Sequence, residues 1–382
     1  MNPERLAADA PLGELEPVAY FDGAMLTGVT VSRGGRIFVN FPKWGDDVQF
    51  TVAEVKDWEI VPYPDQATNE THSDDPAAAL VSVQSVVVDP ADRLWILDTG
   101  SPMFELTEYG GPKLLCVDLE TDEVIKKILF PKDVALPTTY LNDVRFDLRR
   151  GEEGTAFITD SSDKGPNGII VVDLAPEESW RCLHDHPTTK AEQPPDFLPM
   201  VEGRPLMERN PDGTTNPITM GSDGIAIGAD GERLYYCKLM GRHLYSVSTD
   251  ALCNRSLGDG EVARTVTDEG DKGGSGDGME TDAAGNLYAT NFEHNALPGQ
   301  RVGDSRARPA PAVAGHHVRR GRRLPLRHGQ PVAPPGPVPG WRGRTKEAIH
   351  AVSRPHRRRA RRAEVRGRLS APGVPRMVRK MH

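Results

Sequence analysis

The chain has 382 residues, a formal net charge of -9 and 37% hydrophobic residues, with 38 Gly and 33 Pro. No apolar run approaches the ~20 residues of a membrane helix, so membrane-spanning helical classes are excluded and no membrane partner is expected. Four cysteines (Cys116, Cys182, Cys237, Cys253) lie far apart without a CxxC pair, which argues against a cysteine zinc site and predicts a reducing, cytoplasmic setting.

Met1 to Pro17 reads as a polar leader with no basic-then-apolar secretory layout. Then comes the first hairpin, in which Gly28-Val29-Thr30-Val31 alternates, Gly34-Gly35 turns and Arg36-Ile37-Phe38-Val39 returns. The same pattern recurs from Gln84 to Thr99 and from Asn142 to Asp160, and most clearly from Gly221 to Tyr236 and Gly276 to Thr290. The five copies start about 55 to 60 residues apart, with one gap near 80, a spacing of propeller blades enlarged by loops. Third strands follow several copies, as in Lys113–Leu119, Gly168–Leu174 and His243–Val247, which makes most of a four-stranded blade. His184 to Thr219 is a Pro- and Gly-rich loop, long enough to be a lid or a plain surface insertion. Its His184-x-His186 pair could bind metal but fits an ordinary surface better.

Four motifs then carry a likeness: Phe38-Val39-Asn40-Phe41-Pro42-Lys43-Trp44, Leu94-Trp95-Ile96-Leu97-Asp98-Thr99-Gly100, Tyr140-Leu141-Asn142-Asp143-Val144-Arg145 and Ile158-Thr159-Asp160-Ser161-Ser162. Together they resemble the major royal jelly protein and Yellow family in its bacterial form, over about Pro17 to Ala296. The resemblance implies an all-β, six-bladed β-propeller related to the gluconolactonase and senescence-marker lactonase group, with a small-molecule pocket at one end of the channel.

In a propeller the residues that begin the innermost strands converge on the axis. Here they are Thr27, Gln84 or Ser85, Asn142 with Asp143, Ser222 with Asp223, and Asp277. Oxygen-rich side chains of this kind could hold Ca²⁺ or a similar divalent ion. In the lactonase relatives a first-blade Glu, an Asn and an Asp hold the metal; Asn142, Asp223 and Asp277 match the later positions, whereas Thr27-Gly28-Val29 replaces the expected Glu-Gly-Pro. Asp223-Gly224 and Asp277-Gly278 precede inner strands, so pocket lining stands beside loop tethering as a reading. Asp230-Gly231 and Asp212-Gly213 read as turns. Asp98 and Asp160 end strands, where they could cap backbone amides. Asn291 and Phe292 could line the channel mouth or pack between blades.

After Ala296 the repeat stops. Residues 301–382 carry 22 Lys and Arg against 3 Asp and Glu, which leaves the first 300 residues at -28. A basic arm suggests nucleic-acid binding, but a frame shift explains the composition better. Codons can be chosen for Arg323 to Pro331 so that reading one base later gives Gly-Tyr-Leu-Tyr-Val-Thr-Ala-Asn-Gln, and Arg301–Val318 and Gly343–Pro355 behave alike in the same frame. These words resemble the family's sixth blade. The expected organisation is a leader (1–17), a propeller with five recognisable blades (18–296) and an Arg/Pro-rich, frame-shifted, disordered tail (297–382) that has lost the sixth blade. The expected function is a monomeric binder of a small polar molecule, without nucleic acid, and inactive as encoded if the ring cannot close. A metal-dependent lactone hydrolase is the alternative.

Overall fold

A computed structural model of the chain describes residues 18–21, 23–57, 59–70, 75–194, 196–210, 212–294, 299–301 and 347–349. The leader and all but two short pieces of the expected tail lie outside the described residues.

Strand β1 (Ala19–Phe21) precedes the first four-stranded sheet, β2 (Gly28–Val31), β3 (Ile37–Asn40), β4 (Val52–Lys56) and β5 (Glu59–Pro62). A short helix α1 (Gln66–Asn69) leads to the second sheet, β6 (Val83–Val88), β7 (Arg93–Asp98), β8 (Lys113–Asp118) and β9 (Glu123–Leu129). The third is β10 (Leu141–Asp147), β11 (Thr155–Asp160), β12 (Gly168–Asp173) and β13 (Glu178–Cys182). Every pairing inside these sheets is antiparallel between sequence neighbours, so each sheet is a meander. The 184–219 segment follows and is not a plain loop: it folds into two small hairpins, β14 (Met200–Val201) with β15 (Arg204–Pro205) and β16 (Met207–Arg209) with β17 (Thr215–Pro217).

The fourth sheet is β18 (Ser222–Ile227), β19 (Arg233–Lys238), β20 (His243–Ser248) and β21 (Thr267–Asp271), with helices α2 (Thr249–Cys253) and α3 (Asp259–Ala263) inserted before β21. The fifth has three described strands, β22 (Met279–Thr281), β23 (Asn286–Ala289) and β24 (Gly299–Arg301). Asp230-Gly231 makes the β18–β19 turn, where Gly231 takes a φ of 78° and Asp230 Oδ1 accepts the Glu232 amide.

The first strands β2, β6, β10, β18 and β22 adjoin one another in succession. Apolar clusters fill the spaces between successive sheets. Phe38, Val52 and Leu80 of the first pack with Leu94, Ile96 and Val117 of the second. Trp95, Leu97 and Cys116 pack with Val144, Ile158 and Ile170, and Phe157, Ile169 and Val171 with Ile225, Tyr236 and Val247. Ala226, Tyr235 and Leu244 meet Met279 and Leu287. Sheets stacked face to face around a line of first strands make a β-propeller, as the hairpin repeat implied.

Beside the first blade, β1 pairs antiparallel with β25 (Glu347–Ile349). Ala19 and Phe21 pack on Val39, Phe41 and Ala53 of the first blade, as a preceding blade would. Sequence reading ended the propeller at Ala296, yet β24 and β25 lie beyond it. Gly299-Gln300-Arg301 has no alternating apolar residue, so nothing in its composition marks it as a strand.

Strand-end acids tie the strands within a blade together at one rim. Asp98 Oδ2 accepts the Val81 amide (2.6 Å) and the Lys113 ammonium (2.8 Å), while Oδ1 accepts the amides of Ser82 and Gly100, both at 2.9 Å. Asp160 repeats the device one blade on, accepting the Tyr140 and Ser162 amides, the Thr139 hydroxyl and the Arg181 guanidinium. These two acids are backbone caps, one of the roles open to them from sequence. No helix among the described residues is long and apolar enough to cross a membrane.

Candidate functional site

Three inner strands share an irregularity at the same end. The pairing of β6 with β7 shifts register between Val83 and Ser85, that of β10 with β11 between Leu141 and Val144, and that of β18 with β19 between Ser222 and Ile225. A bulge puts an extra residue into one strand and re-aims side chains. The residues displaced are Gln84, Asn142 with Asp143, and Asp223 with Gly224, which include most of the residues expected to reach the axis.

Asp223 is the centre of this group. It is 4% exposed, its Oδ2 accepts the Ser161 hydroxyl at 3.4 Å, and its Oδ1 has no hydrogen-bond partner. Burial, then the Asp277 carboxyl and the Asp143 charge, push its carboxyl well above the usual carboxylate range, against a smaller opposing influence of the nearby Asn142 amide. Asn142 is buried, Asp143 is largely covered and Asp277 is exposed. The fourth and fifth blades touch closely here: a Cβ on Gly224 would lie 2.2 Å from the Asp277 carbonyl oxygen. Only glycine fits that contact. The Asp277 amide donates to Thr290 Oγ1.

On the far side, Asp143 Oδ1 accepts the Ser85 hydroxyl (2.9 Å) and Arg145 Nη1 (2.8 Å). Arg145 Nη2 continues to the Met279 carbonyl oxygen of the fifth blade at 2.6 Å. Thr27 stands in the first blade, where its hydroxyl donates to the Gln84 carbonyl and accepts from Asn40 Nδ2. The structure thus brings Asn142, Asp143, Asp223 and Asp277 together, and ties Thr27 into the seam between the first two blades. Asn291 is buried, donating to the Gly273 carbonyl and accepting the His294 amide. Phe292 packs against a cluster of Met220, Leu239 and Met240 with Phe197 and Ile218 of the 184–219 segment. His184 and His186 do not converge on a shared partner: His184 Nδ1 accepts from Arg181, and His186 Nδ1 meets the Thr188 hydroxyl.

Sequence reading missed the aromatic wall and Arg145. Trp44 Nε1 donates to the Tyr140 hydroxyl (2.7 Å), which donates to Gln84 Oε1 (2.9 Å). Phe104 stacks on both rings, with centroids 5.5 Å from Trp44 and 4.7 Å from Tyr140. Phe104 also packs against the cluster of Phe197 and Ile218, so one ring joins the aromatic wall to the 184–219 segment. Trp44, Tyr140 and Arg145 all lie in the recognised motifs; their order along the chain gave no sign that they meet.

The donor set is rich in oxygen, and the orphaned Asp223 Oδ1 with the Asn142 amide beside it suits a cation or a hydrogen-bond donor in kind. No cluster of three or more His, Cys, Asp or Glu side chains disposed to hold a metal ion occurs among the described residues.

Residues 81–303 match the family model described as "Major royal jelly protein". The chain is 28% identical to Protein yellow of Drosophila erecta over 158 residues, covering 39% of this chain and 28% of that protein. With Major royal jelly protein 7 of Apis mellifera it shares 27% identity over 208 residues, covering 53% of this chain and 42% of that protein. It therefore spans less than half the length of these relatives. Among solved structures, a gluconolactonase from Xanthomonas campestris is similar with a TM-score of 0.40 and 11% identity, covering 76% of this chain and 85% of that one. With 223 of its 382 residues inside the matched segment, the chain belongs to the major royal jelly protein family.

Proposed function

We propose that this propeller binds a small polar molecule at the axial end of its channel, through Asp223, Asp277, Asp143 and Asn142. The observation that carries the reading is the buried Asp223 carboxyl with one oxygen unpartnered. A buried acceptor without a donor costs about 1–3 kcal/mol, and a ligand N–H or O–H would recover that loss. The excess of carboxyls favours ligands rich in donors. Thermal-shift screening of polar metabolites tests this: hits should stabilise the wild type and lose at least tenfold in affinity in Asp223→Asn. Hits unaffected by both Asp223→Asn and Asp277→Asn would place the ligand elsewhere.

A second reading, a metal-dependent lactone hydrolase, is favoured by the oxygen donors Asn142, Asp223 and Asp277, which would hold the ion. A bound divalent ion supplies Lewis acidity toward a carbonyl and a more acidic water. Metal analysis with a lactone hydrolysis assay tests it; Asp277→Ala that leaves both unchanged removes it.

We also propose that residues 297–382 derive from a shifted frame, so that a frame-corrected chain melts more cooperatively than the encoded one. Sequencing the gene across the codons for Asn295–Gln300 checks the origin directly. The four free cysteines accord with a cytoplasmic location, and a monomer is the expected state.

A further inference from the structure

Arg145 spans the propeller. It rises from β10 of the third blade, bonds Asp143 and the Val144 carbonyl, and crosses past the fourth blade to the Met279 carbonyl of the fifth. Its side chain is 15% exposed, with Nε 3.5 Å from Glu280 Oε2. Arg145 follows Asp143 by two residues, and Met279 follows Asp277 by two. The guanidinium bonds Asp143 directly and reaches the fifth blade just past Asp277, so it borders the group in which Asp143, Asp223 and Asp277 meet. Arginine stays charged in every protein environment.

We infer that Arg145 is the specificity-determining residue of the pocket: as a built-in cation bordering the three carboxyls and bonded to Asp143, it weakens divalent metal binding and reserves the acidic rim for ligands with one positive charge or with neutral donors. The inference rests on the proposed ligand site. A fixed positive charge repels a divalent ion twice as strongly as a monovalent one at the same place. It also neutralises the carboxylate nearest to it, Asp143, through a charge-assisted bond. The ligand position that carries a Glu in the lactonase pattern is Thr27 here, so the pocket both lacks one acid and contains one base.

Calcium alone serves as the probe, titrated calorimetrically into the whole chain. Arg145→Met and Arg145→Gln, with melting checked for each, should bind calcium at least about tenfold more tightly than the wild type, whereas Arg145→Lys should stay within threefold of it. Asp223→Asn added to either neutral variant should abolish the gain. A folded neutral variant with unchanged or weaker calcium binding overturns the assignment, as does Arg145→Lys gaining as much as Arg145→Met. If neither neutral variant folds, the Arg145 Nε–H resonance of the ¹⁵N-labelled wild type decides, with calcium raised until calorimetry shows the site loaded: the loaded protein must show a shifted resonance, and calcium bound with the resonance unmoved overturns the proposal. Failure of the ligand site itself looks different, because Asp223→Asn in the Arg145 background would then leave ligand binding unaltered.

Discussion

Asp98→Ala should destabilise the propeller by about 4 kcal/mol, within the range for removing one partner of a buried ion pair. Asp98 and Lys113 are both wholly buried. The carboxylate accepts four donors: the amides of Val81, Ser82 and Gly100 and the Lys113 ammonium. Alanine leaves all four without that acceptor. Lys113 keeps three carbonyl partners, Pro76, Gly110 and Gly111, which hold the ammonium in place but supply no opposite charge. Each orphaned amide costs about 1–3 kcal/mol if it stays dry, so these losses cannot simply add; relaxation or an entering water must recover part. Lys113→Met should cost somewhat less, about 3 kcal/mol, because Asp98, though left without a counter-charge, keeps its three amides and remains hydrogen-bonded. Urea denaturation followed by tryptophan fluorescence, which reports on the buried Trp95 three residues earlier in β7, measures both. The reasoning fails if Asp98→Ala costs under about 1 kcal/mol, or if Lys113→Met proves the more damaging.

Three further outcomes follow from the geometry. Gly224→Ala places a methyl 2.2 Å from the Asp277 carbonyl and should cost about 1–3 kcal/mol, with ligand affinity lost; a melting temperature equal to wild type contradicts the contact. Because the Asp223 carboxyl is raised in the fold, its contribution is complete below the unfolded value of about 3.9 and declines as pH rises toward the folded one. Asp223→Asn should therefore gain on the wild type in denaturation measured at pH 7 relative to pH 4, and a constant gap between them would exclude the shift. Glu293 accepts the Met200 and Ser275 amides and pairs with Arg242. Burial opposes its charge, but these partners hold it down to about 2; its stabilisation is present above the unfolded value of about 4.3 and is lost as pH falls toward 2. Faster proteolysis at the Met200–Pro205 hairpin in Glu293→Gln at pH 7, and in wild type near pH 2.5 with an acid protease, checks the latch; unchanged cleavage in Glu293→Gln rejects it.

The fold was legible because its repeat is written in the inner half of each blade. Hairpins such as β18–β19 alternate apolar residues on two buried faces, and a turn glycine at Gly231 closes them. The outer strands were not legible. β9 reads Glu-Val-Ile-Lys-Lys-Ile-Leu and β21 reads Thr-Asp-Glu-Gly-Asp; both lie at a sheet edge, where partner hydrogen bonds decide the conformation and side-chain pattern matters less.

The site shows the same division between local and non-local information. Asp98 and Asp160 end second strands, while Asp143 and Asp223 sit in bulges of first strands, and the chain alone could read the first pair as caps and the second as channel-facing without showing how each is partnered. What separates them is supply of donors. Asp98 meets three amides and an ammonium drawn from loops on both sides, so its charge is fully answered. Asp223 is lifted out of its ladder by the bulge, faces two other acids and keeps one oxygen without a donor. The cation that partly offsets that group, Arg145, arrives from two residues beyond Asp143 in the neighbouring blade and is anchored by a backbone oxygen 134 residues away. Such a partner is fixed only when the ring of blades brings the third and fifth to the same axis, which is why the acids of the pocket could be named from the sequence and their counter-charge could not.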